Sequence, residues 1–217
     1  MDAEFWHERW VDNRIGFHLG EVNPYLVKYW PTLELHASSR VFVPLCGKSL
    51  DLLWLAEQGY EVIGIEISPL AVQSFFKENQ LTPIIEQHGA FELWRVDNIT
   101  LICGDFFELS PIQLGEVAAV YDRASLIALP VDMRRDYVDH LADLCPMDNP
   151  RLLITLEYDQ ASMNGPPFSV SAEELGQLYP QKDEVIRLEA TDIIKDNERF
   201  REKGLDSLLE SVWRIGG

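Results

Sequence analysis

The sequence predicts an α/β fold in which a mainly parallel sheet carries helices on both faces. Short apolar runs of strand length alternate along the chain with longer segments of helical periodicity. That alternation is typical of strand–helix–strand units, which build parallel sheets. The clearest unit spans residues 41–66 and ends on an acid, Glu66. The carboxyl ends of parallel strands are where such sheets bind ligands, so Glu66 marks a candidate site.

The first 36 residues predict a helical segment. Phe5, Trp6 and Trp10 recur at roughly helical spacing within residues 2–15. Asn23-Pro24 is typical of a helix start, with Asn23 as the cap and Pro24 in the first turn. We expect that second helix to run through Trp30 to about residue 35.

The unit at 41–66 has clear boundaries. Residues 41–45 predict a buried strand, the turn Cys46-Gly47-Lys48-Ser49 interrupts it, and residues 50–56 predict a helix. Gly59 ends that helix and residues 61–65 predict a second strand. Ser68-Pro69 then begins another helix, which we expect to reach about residue 79.

The rest of the chain continues the alternation. Strands are predicted at 91–96, 100–103, 117–121, 152–156, 185–190 and 207–215. Helices are predicted at 132–144 and from Ser171 to about Tyr179, where Ser171 and Glu174 have the spacing of a capping box. We expect a single domain over residues 1–217.

Composition narrows the classes of function. The 217 residues are 47% hydrophobic, which is ordinary for a globular protein, and carry a net charge of −18. A field of that sign repels nucleic acid and anionic membranes, so we expect neither as a partner. The acidic N-terminus lacks the shape of a signal peptide and no window reaches the ~20 apolar residues of a membrane span, so we expect a cytoplasmic protein.

Cysteine and histidine give no sign of a metal site. Three scattered cysteines are too few for a disulfide framework or a zinc site. The five histidines show no metal-ligand spacing, so no metal is expected.

Three kinds of adenosine ligand are considered for the site at Glu66: a nucleoside triphosphate, a dinucleotide and S-adenosylmethionine. Gly47-Lys48-Ser49 resembles the end of a P-loop, but that motif requires a glycine five positions before Gly47, where this chain has Phe42. A dinucleotide site needs three glycines near a pyrophosphate, and this turn has one. An acid that can bind ribose hydroxyls, without a phosphate-binding turn, favours S-adenosylmethionine.

Two later positions at strand ends are further candidates. Asp105 follows a predicted strand beside Phe106 and Phe107, which suits an adenine, although a turn or helix-cap role for Asp105 is equally compatible. Arg123 ends the strand at 117–121, where either a ligand contact or a surface ion pair is compatible with its position.

The chain closely resembles the thiopurine S-methyltransferase family over nearly its whole length. The resemblance rests on Phe5-Trp6, Trp10, Phe17-His18, Val43 to Ser49 with Asp51 and Trp54-Leu55, Gly64-Ile65-Glu66 with Ser68, Asp122-Arg123-Ala124, Ile127 to Pro130, Gly165-Pro166-Pro167-Phe168 and Gly204-Leu205-Asp206. One departure is Tyr121, where family members often carry tryptophan.

The resemblance implies a fold, an activity and a set of site residues. The implied fold is the Rossmann-like class I methyltransferase fold, with a seven-stranded, mostly parallel sheet whose last strand is antiparallel. S-adenosylmethionine is the implied methyl donor, and a thiol-bearing aromatic heterocycle is the implied small-molecule acceptor. By position, the implied cofactor-binding residues are Trp6, Trp10, Phe17, Leu45, Glu66, Asp105, Phe106 and Arg123, and Arg199 is the implied acceptor-side arginine.

These implications give a mechanism to test. Arg123 and Arg199 are the expected catalytic residues, favouring the thiolate form of the acceptor or placing a water that takes its proton. Selenium and tellurium compounds are further conceivable acceptors, with tellurite resistance as a role, and we expect a monomer. The alternatives are a nucleotide-dependent oxidoreductase and a non-catalytic adenosine-binding protein on the same fold.

Overall fold

The computed structural model describes residues 3–179 and 185–217. Met1 and Asp2, the start of the predicted N-terminal segment, lie outside this description. The chain forms two compact units, residues 1–121 and 122–217, and the boundary falls inside one strand. The expectation that residues 1–217 act as a single domain stays a prediction.

The elements follow the predicted alternation closely. The helices are α1 Ala3–Val11, α2 Pro24–Tyr29, α3 Asp51–Glu57, α4 Pro69–Glu78, α5 Pro111–Leu114, α6 Val131–Leu144, α7 Ala172–Leu178 and α8 Glu198–Arg201. The strands are β1 Arg40–Val43, β2 Glu61–Glu66, β3 Ile84–His88, β4 Phe91–Val96, β5 Ile99–Cys103, β6 Ala119–Arg123, β7 Arg151–Glu157, β8 Val185–Asp192 and β9 Leu209–Ile215.

The sheet is mixed and has nine strands among the described residues, in the order β3-β4-β5-β2-β1-β6-β7-β9-β8. Strand β1 pairs in parallel with β2 and β6, and β2 pairs in parallel with β5. Strand β9 is antiparallel to both β7 and β8, as expected for the last strand. The expected count of seven strands is wrong, because the hairpin β3–β4 adds two antiparallel strands at one edge.

The strand segments predicted from the sequence number eight, one more than the count that the resemblance implies, and the described strand that they omit is β3. Every residue of β3 is exposed, so this strand lacks the apolar run by which buried strands are predicted. Strand β4 was predicted at its observed bounds, 91–96, because Phe91 and its neighbours are at least partly buried.

A helix cap and one buried acid fix the N-terminal segment to the rest of the first unit. The Asn23 side chain caps α2 by accepting hydrogen bonds from the backbone of Tyr25 and Leu26. Helix α2 ends at Tyr29, earlier than expected, and a 3₁₀ turn follows at Trp30–Leu33. Asp51, buried at the start of α3, accepts one bond from the Asn23 backbone at 2.7 Å and one from the Tyr121 hydroxyl at 2.9 Å.

The second unit corrects one detail of capping. The Ser171 hydroxyl accepts a hydrogen bond from the Glu174 backbone N–H at 3.1 Å, as expected for a helix cap. The reciprocal half of the predicted capping box is replaced, because the Glu174 carboxylate instead pairs with Arg134 at 2.6 Å. Arg134 is buried and also donates to the Leu129 and Ser169 carbonyls, so it fixes α6 both to α7, through Glu174, and to the segment that precedes α7, through Ser169.

Gly64 in β2 allows β2 to approach the turn after β1. A Cβ at Gly64 would lie 2.7 Å from the Cys46 sulfur and 2.8 Å from a Leu101 methyl carbon. Both neighbours are buried, so neither has open space to move into.

We therefore expect Gly64→Ala to lower the free energy of unfolding by about 1–3 kcal/mol, as for other overpacked core sites. Urea denaturation of Gly64→Ala beside Gly20→Ala measures this, since a Cβ at Gly20 meets nothing within 4 Å. Equal midpoints for the two variants would contradict the overpacking argument.

Candidate functional site

The candidate site lies in the first unit, at the carboxyl ends of β1, β2 and β5. The backbone after β1 turns sharply, with left-handed φ angles of 47° at Leu45 and 55° at Gly47. A non-glycine residue rarely adopts such a φ, and functional sites are where such strain concentrates. The turn is fixed to β2 by a hydrogen bond from the Cys46 N–H to the Ile65 carbonyl at 2.9 Å.

The Glu66 carboxylate is the centre of the site. Its Oε2 accepts a hydrogen bond from the Gly47 N–H at 3.0 Å and its Oε1 accepts one from the Ser68 N–H at 2.8 Å. The residue is 6% exposed, and burial raises the pKa of the carboxyl to about 7, although backbone hydrogen bonds from Ser68, Gly47 and Ile67 and the charge of His7 oppose the rise. The two turns thus hold one carboxylate in a fixed orientation.

The carboxylate has the capacity that a ribose requires. An ionised carboxylate offers about four lone-pair sites, and that of Glu66 interacts with the backbone N–H groups of Gly47, Ser68 and Ile67. The remaining acceptor capacity suits a hydroxyl of a ribose. This acceptor fits an adenosine.

Aromatic side chains of the N-terminal segment cluster beside this turn. Trp6 and Trp10 each make an edge-on contact with Phe17, with ring centroids 5.9 and 5.5 Å apart. Trp10 is 6% exposed, and its ring lies 3.2 Å from the position that a Cβ on Gly47 would occupy. Gly47 therefore gives both the φ of the turn and the space for Trp10, so the structure brings these predicted residues together.

Asp105 and Phe106 follow β5 at the same end of the sheet. The Asp105 carboxylate accepts a hydrogen bond from the Phe107 N–H at 2.9 Å, so the helix-cap role is present. The Phe106 ring is buried and stacks on Phe42 with centroids 6.5 Å apart. Any adenine contact by Phe106 would therefore come from its backbone, whereas Asp105 is exposed at this end of the sheet.

Lys48 does not occupy the position of a phosphate-binding lysine. Its ammonium pairs with both Glu78 oxygens, at 2.7 and 2.8 Å, and so links the turn to the end of α4. Together with Phe42 buried inside β1, this contact gives the Gly47-Lys48-Ser49 fragment a structural explanation.

The predicted catalytic arginines both belong to the second unit. Arg123 is the last residue of β6 and is half-buried. Burial raises the pKa of the Glu210 carboxyl, and the positive charge of Arg123 opposes that rise. Arg199 lies on α8 with its guanidinium 4.6 Å from the centroid of the Phe200 ring. Each is an arginine held close to a partner side chain.

The sequence reasoning missed His7 and Ser68 as parts of the site. Ser68 was predicted only as a helix cap, which it is, yet its backbone N–H also holds Glu66. His7 lies on α1, and its Nε2 contacts the Ile67 carbonyl at 3.1 Å. Spacing could have indicated His7, because it lies three residues before Trp10 and thus on the same helix face.

Comparison with known proteins shows to which family this chain belongs. The sequence matches the family described as thiopurine S-methyltransferase over residues 1–217. The chain belongs to the thiopurine S-methyltransferase family. It is 51% identical over 215 residues to the thiopurine S-methyltransferase of Pseudomonas putida, with 99% of each chain covered. It is 49% identical to that of Nitrosospira multiformis, covering 99% of this chain and 98% of the relative.

Solved structures support the fold of this family member. A Burkholderia thailandensis 1,6-didemethyltoxoflavin-N1-methyltransferase, solved with S-adenosylhomocysteine, aligns with a TM-score of 0.62 at 14% identity, covering 99% of this chain and 87% of that one. A TehB-like S-adenosylmethionine-dependent methyltransferase from Corynebacterium glutamicum aligns with a TM-score of 0.53 at 11% identity, covering 97% and 96%. The Rossmann-like methyltransferase fold is thereby confirmed, with nine strands in place of seven.

Over residues 3–179 and 185–217, no helix is both long and apolar enough to cross a bilayer. Within the same ranges, no group of three or more His, Cys, Asp or Glu side chains is arranged to hold a metal ion.

Proposed function

We propose that this protein transfers a methyl group from S-adenosylmethionine to the sulfur of aromatic and heterocyclic thiols, including thiopurines. The observation that carries the proposal is the buried Glu66 carboxylate, held by the Gly47 and Ser68 backbones in a chain of this family. The direct test is methyl transfer from a labelled donor to 6-mercaptopurine. Binding of S-adenosylhomocysteine without turnover on any thiol would instead favour the non-catalytic alternative.

Residues of the first unit are proposed to hold the cofactor. Glu66 binds the ribose, Trp10 packs against the cofactor, and Leu45 lines the turn beside it. Trp6 and Phe17 support Trp10 through the edge-on contacts of their rings. When bound, S-adenosylmethionine supplies a methyl group already activated on a sulfonium, so positioning by the protein provides much of the acceleration.

Arg123 and Arg199 are proposed to act on the acceptor. A positive guanidinium beside the acceptor sulfur favours the thiolate over the thiol, and the thiolate is the nucleophile. The sulfur–hydrogen bond breaks before or as the sulfur–methyl bond forms, and the proton leaves to water. A strong protein base is unnecessary for thiols that are already acidic.

The titration of Glu66 predicts how cofactor binding depends on pH. An ionised carboxylate accepts hydroxyl hydrogen bonds better than a protonated one, and the pKa of Glu66 is raised to about 7 by burial. Affinity for S-adenosylhomocysteine should therefore rise with pH, by about tenfold between pH 6 and pH 8. Calorimetric titrations across this range measure it, with Glu61→Gln as a variant that keeps the dependence.

Stability should move in the opposite direction, which separates the two effects. The pKa of Glu66 is raised on folding from 4.5 to about 7, so the folded state favours the protonated carboxyl. This contribution to stability is fully present below about pH 4.5 and is lost as the pH rises through 7. An affinity for S-adenosylhomocysteine that does not change between pH 6 and pH 8 would contradict the proposal that the ionised Glu66 carboxylate binds the ribose.

The range of acceptors and the biological setting extend the proposal. A soft sulfur nucleophile can be replaced by selenium or tellurium, so selenite and tellurite belong in an acceptor screen beside thiopurines and thiophenols. Tellurite resistance, a cytoplasmic location and a monomeric state are proposed with the same activity. Growth of a host on tellurite, with and without the gene, tests the first, and light scattering tests the last.

A further inference from the structure

We propose that His7 is a positioning residue for the cofactor: it fixes α1 to the turn after Glu66 and so keeps Trp10 over the Gly47 turn. The inference rests on the proposed function, in which Glu66 holds the ribose. His7 touches neither of the reacting atoms, so its effect is expected on retention of the cofactor and not on the methyl-transfer step.

His7 contacts the backbone of the residue that follows Glu66. The His7 Nε2 lies 3.1 Å from the carbonyl oxygen of Ile67, the residue between Glu66 and Ser68. A carbonyl oxygen only accepts hydrogen bonds, so Nε2 carries the proton and His7 donates. The bond joins positions 60 residues apart in sequence and is partly shielded from solvent.

The same helix face contacts the other side of the site. Trp10 lies one helical turn after His7 and packs on the turn at Gly47. Gly47 donates to one oxygen of Glu66 and Ser68 donates to the other. Helix α1 therefore contacts both backbone segments that hold the carboxylate, through Trp10 on one side and His7 on the other.

A helix as short as α1 depends on such contacts. It has nine residues, and isolated helices of that length are marginal in water. Trp10 is its buried residue, while Val11 is 73% exposed. The packing of Trp10 and the hydrogen bond of His7 thus fix the orientation of α1 beside Glu66, and the hydrogen bond is the directional one.

The test compares two variants of His7 in the full chain. His7→Phe keeps a ring and removes the donor, whereas His7→Gln keeps a side-chain N–H donor at a similar reach. His36→Phe, an exposed histidine within the same N-terminal 36 residues, is the matched control. The measurements are hydrogen–deuterium exchange of residues 3–11, the affinity and dissociation rate of S-adenosylhomocysteine, and kcat and KM for methyl transfer.

For His7→Phe we expect faster exchange in α1 and an affinity for S-adenosylhomocysteine between about two- and tenfold weaker, the usual effect of one lost hydrogen bond. The loss should come from faster dissociation, with a higher KM for S-adenosylmethionine and an undiminished kcat. His7→Gln should restore most of the affinity. A purely structural role would lower the melting temperature and kcat together, without rescue by glutamine.

Besides that result, two outcomes would overturn the inference. One is wild-type affinity and wild-type exchange in His7→Phe; the other is equal loss in His7→Phe and His7→Gln. Failure of the proposed function is distinguishable, because the wild-type protein itself would then either bind no S-adenosylhomocysteine or bind it and methylate no thiol. Exchange in α1 would still decide whether His7 fixes the helix.

Discussion

Replacing Glu66 with glutamine is expected to weaken S-adenosylhomocysteine binding by about 100-fold or more. A ribose hydroxyl would lose its bond to a charged acceptor, and such a bond contributes roughly 1.5–3 kcal/mol. The new amide also faces the wrong partner, because both Glu66 oxygens accept from backbone N–H groups. An NH₂ group at either position would meet a donor, so the side chain could not keep both turns in place.

The control for this experiment lies in the same strand. Glu61 is at the opposite end of β2, where its carboxylate pairs with Arg40 at 2.7 Å. Glu61→Gln removes the same charge from the same strand and should leave the affinity within about twofold, since exposed ion pairs contribute little. Glu66→Ala, measured beside these, removes the misplaced amide and isolates the loss of the carboxylate.

Calorimetry on folded protein decides the result. Circular dichroism should show that each variant keeps its helix content before affinity is compared. If Glu66→Ala binds S-adenosylhomocysteine as tightly as the wild type does, the ribose assignment fails, whatever the glutamine variant does. The family assignment would survive that result, because it rests on similarity along the whole chain.

The path of the buried elements could be predicted because apolar periodicity reports burial directly. Strand β2 and helix α6 lie within one residue of their expected bounds, and both carry strong runs of buried residues. Strand β3 could not be predicted, because its five exposed residues carry no such pattern and its stability comes from pairing with β4. Edge strands are decided by their neighbours, and the sequence of one segment does not contain that information.

The candidate site also has parts that could be predicted from the sequence and parts that could not. Glu66 could be predicted because an acid at the end of a buried strand is visible in sequence. The N–H groups of Gly47 and Ser68 could not be assigned to it, since backbone donors carry no residue-specific signal. Phe106 shows the reverse case: the resemblance implies it as a cofactor-binding residue, which stays a prediction, but the sequence does not say whether its ring covers a ligand or packs in the core, as it does against Phe42. An aromatic residue after a strand is equally suited to either role, and only the rotation of the 3₁₀ turn decides between them.

Replacing Arg123 with alanine is expected to lower kcat for methyl transfer to a weakly acidic thiol by roughly 10- to 100-fold, because a rise of one to two units in the pKa of the bound thiol leaves that much less of the thiolate nucleophile at neutral pH. Arg123 is at the end of β6, and its charge already acts on the half-buried carboxyl of Glu210. Removing Arg123 would also leave the negative charge of Glu210 without this compensation, which further disfavours the ionisation of a thiol bound near it. Arg123→Lys should recover part of the rate, because it keeps the charge and loses the planar fork of donors.

Arg199 and a neighbouring arginine separate local charge from net charge. Arg199 and Arg201 both lie on α8, two residues apart, and both are exposed. Arg199→Ala should lower kcat, whereas Arg201→Ala, with the same change in net charge, should leave it unchanged.

The choice of acceptor and pH gives a second test of the arginines. If they favour the thiolate, the loss of kcat in Arg123→Ala should become smaller as pH rises or as more acidic thiols are used. Near-normal turnover in both Arg123→Ala and Arg199→Ala would end the electrostatic role, and acceptor chemistry would then depend on positioning alone.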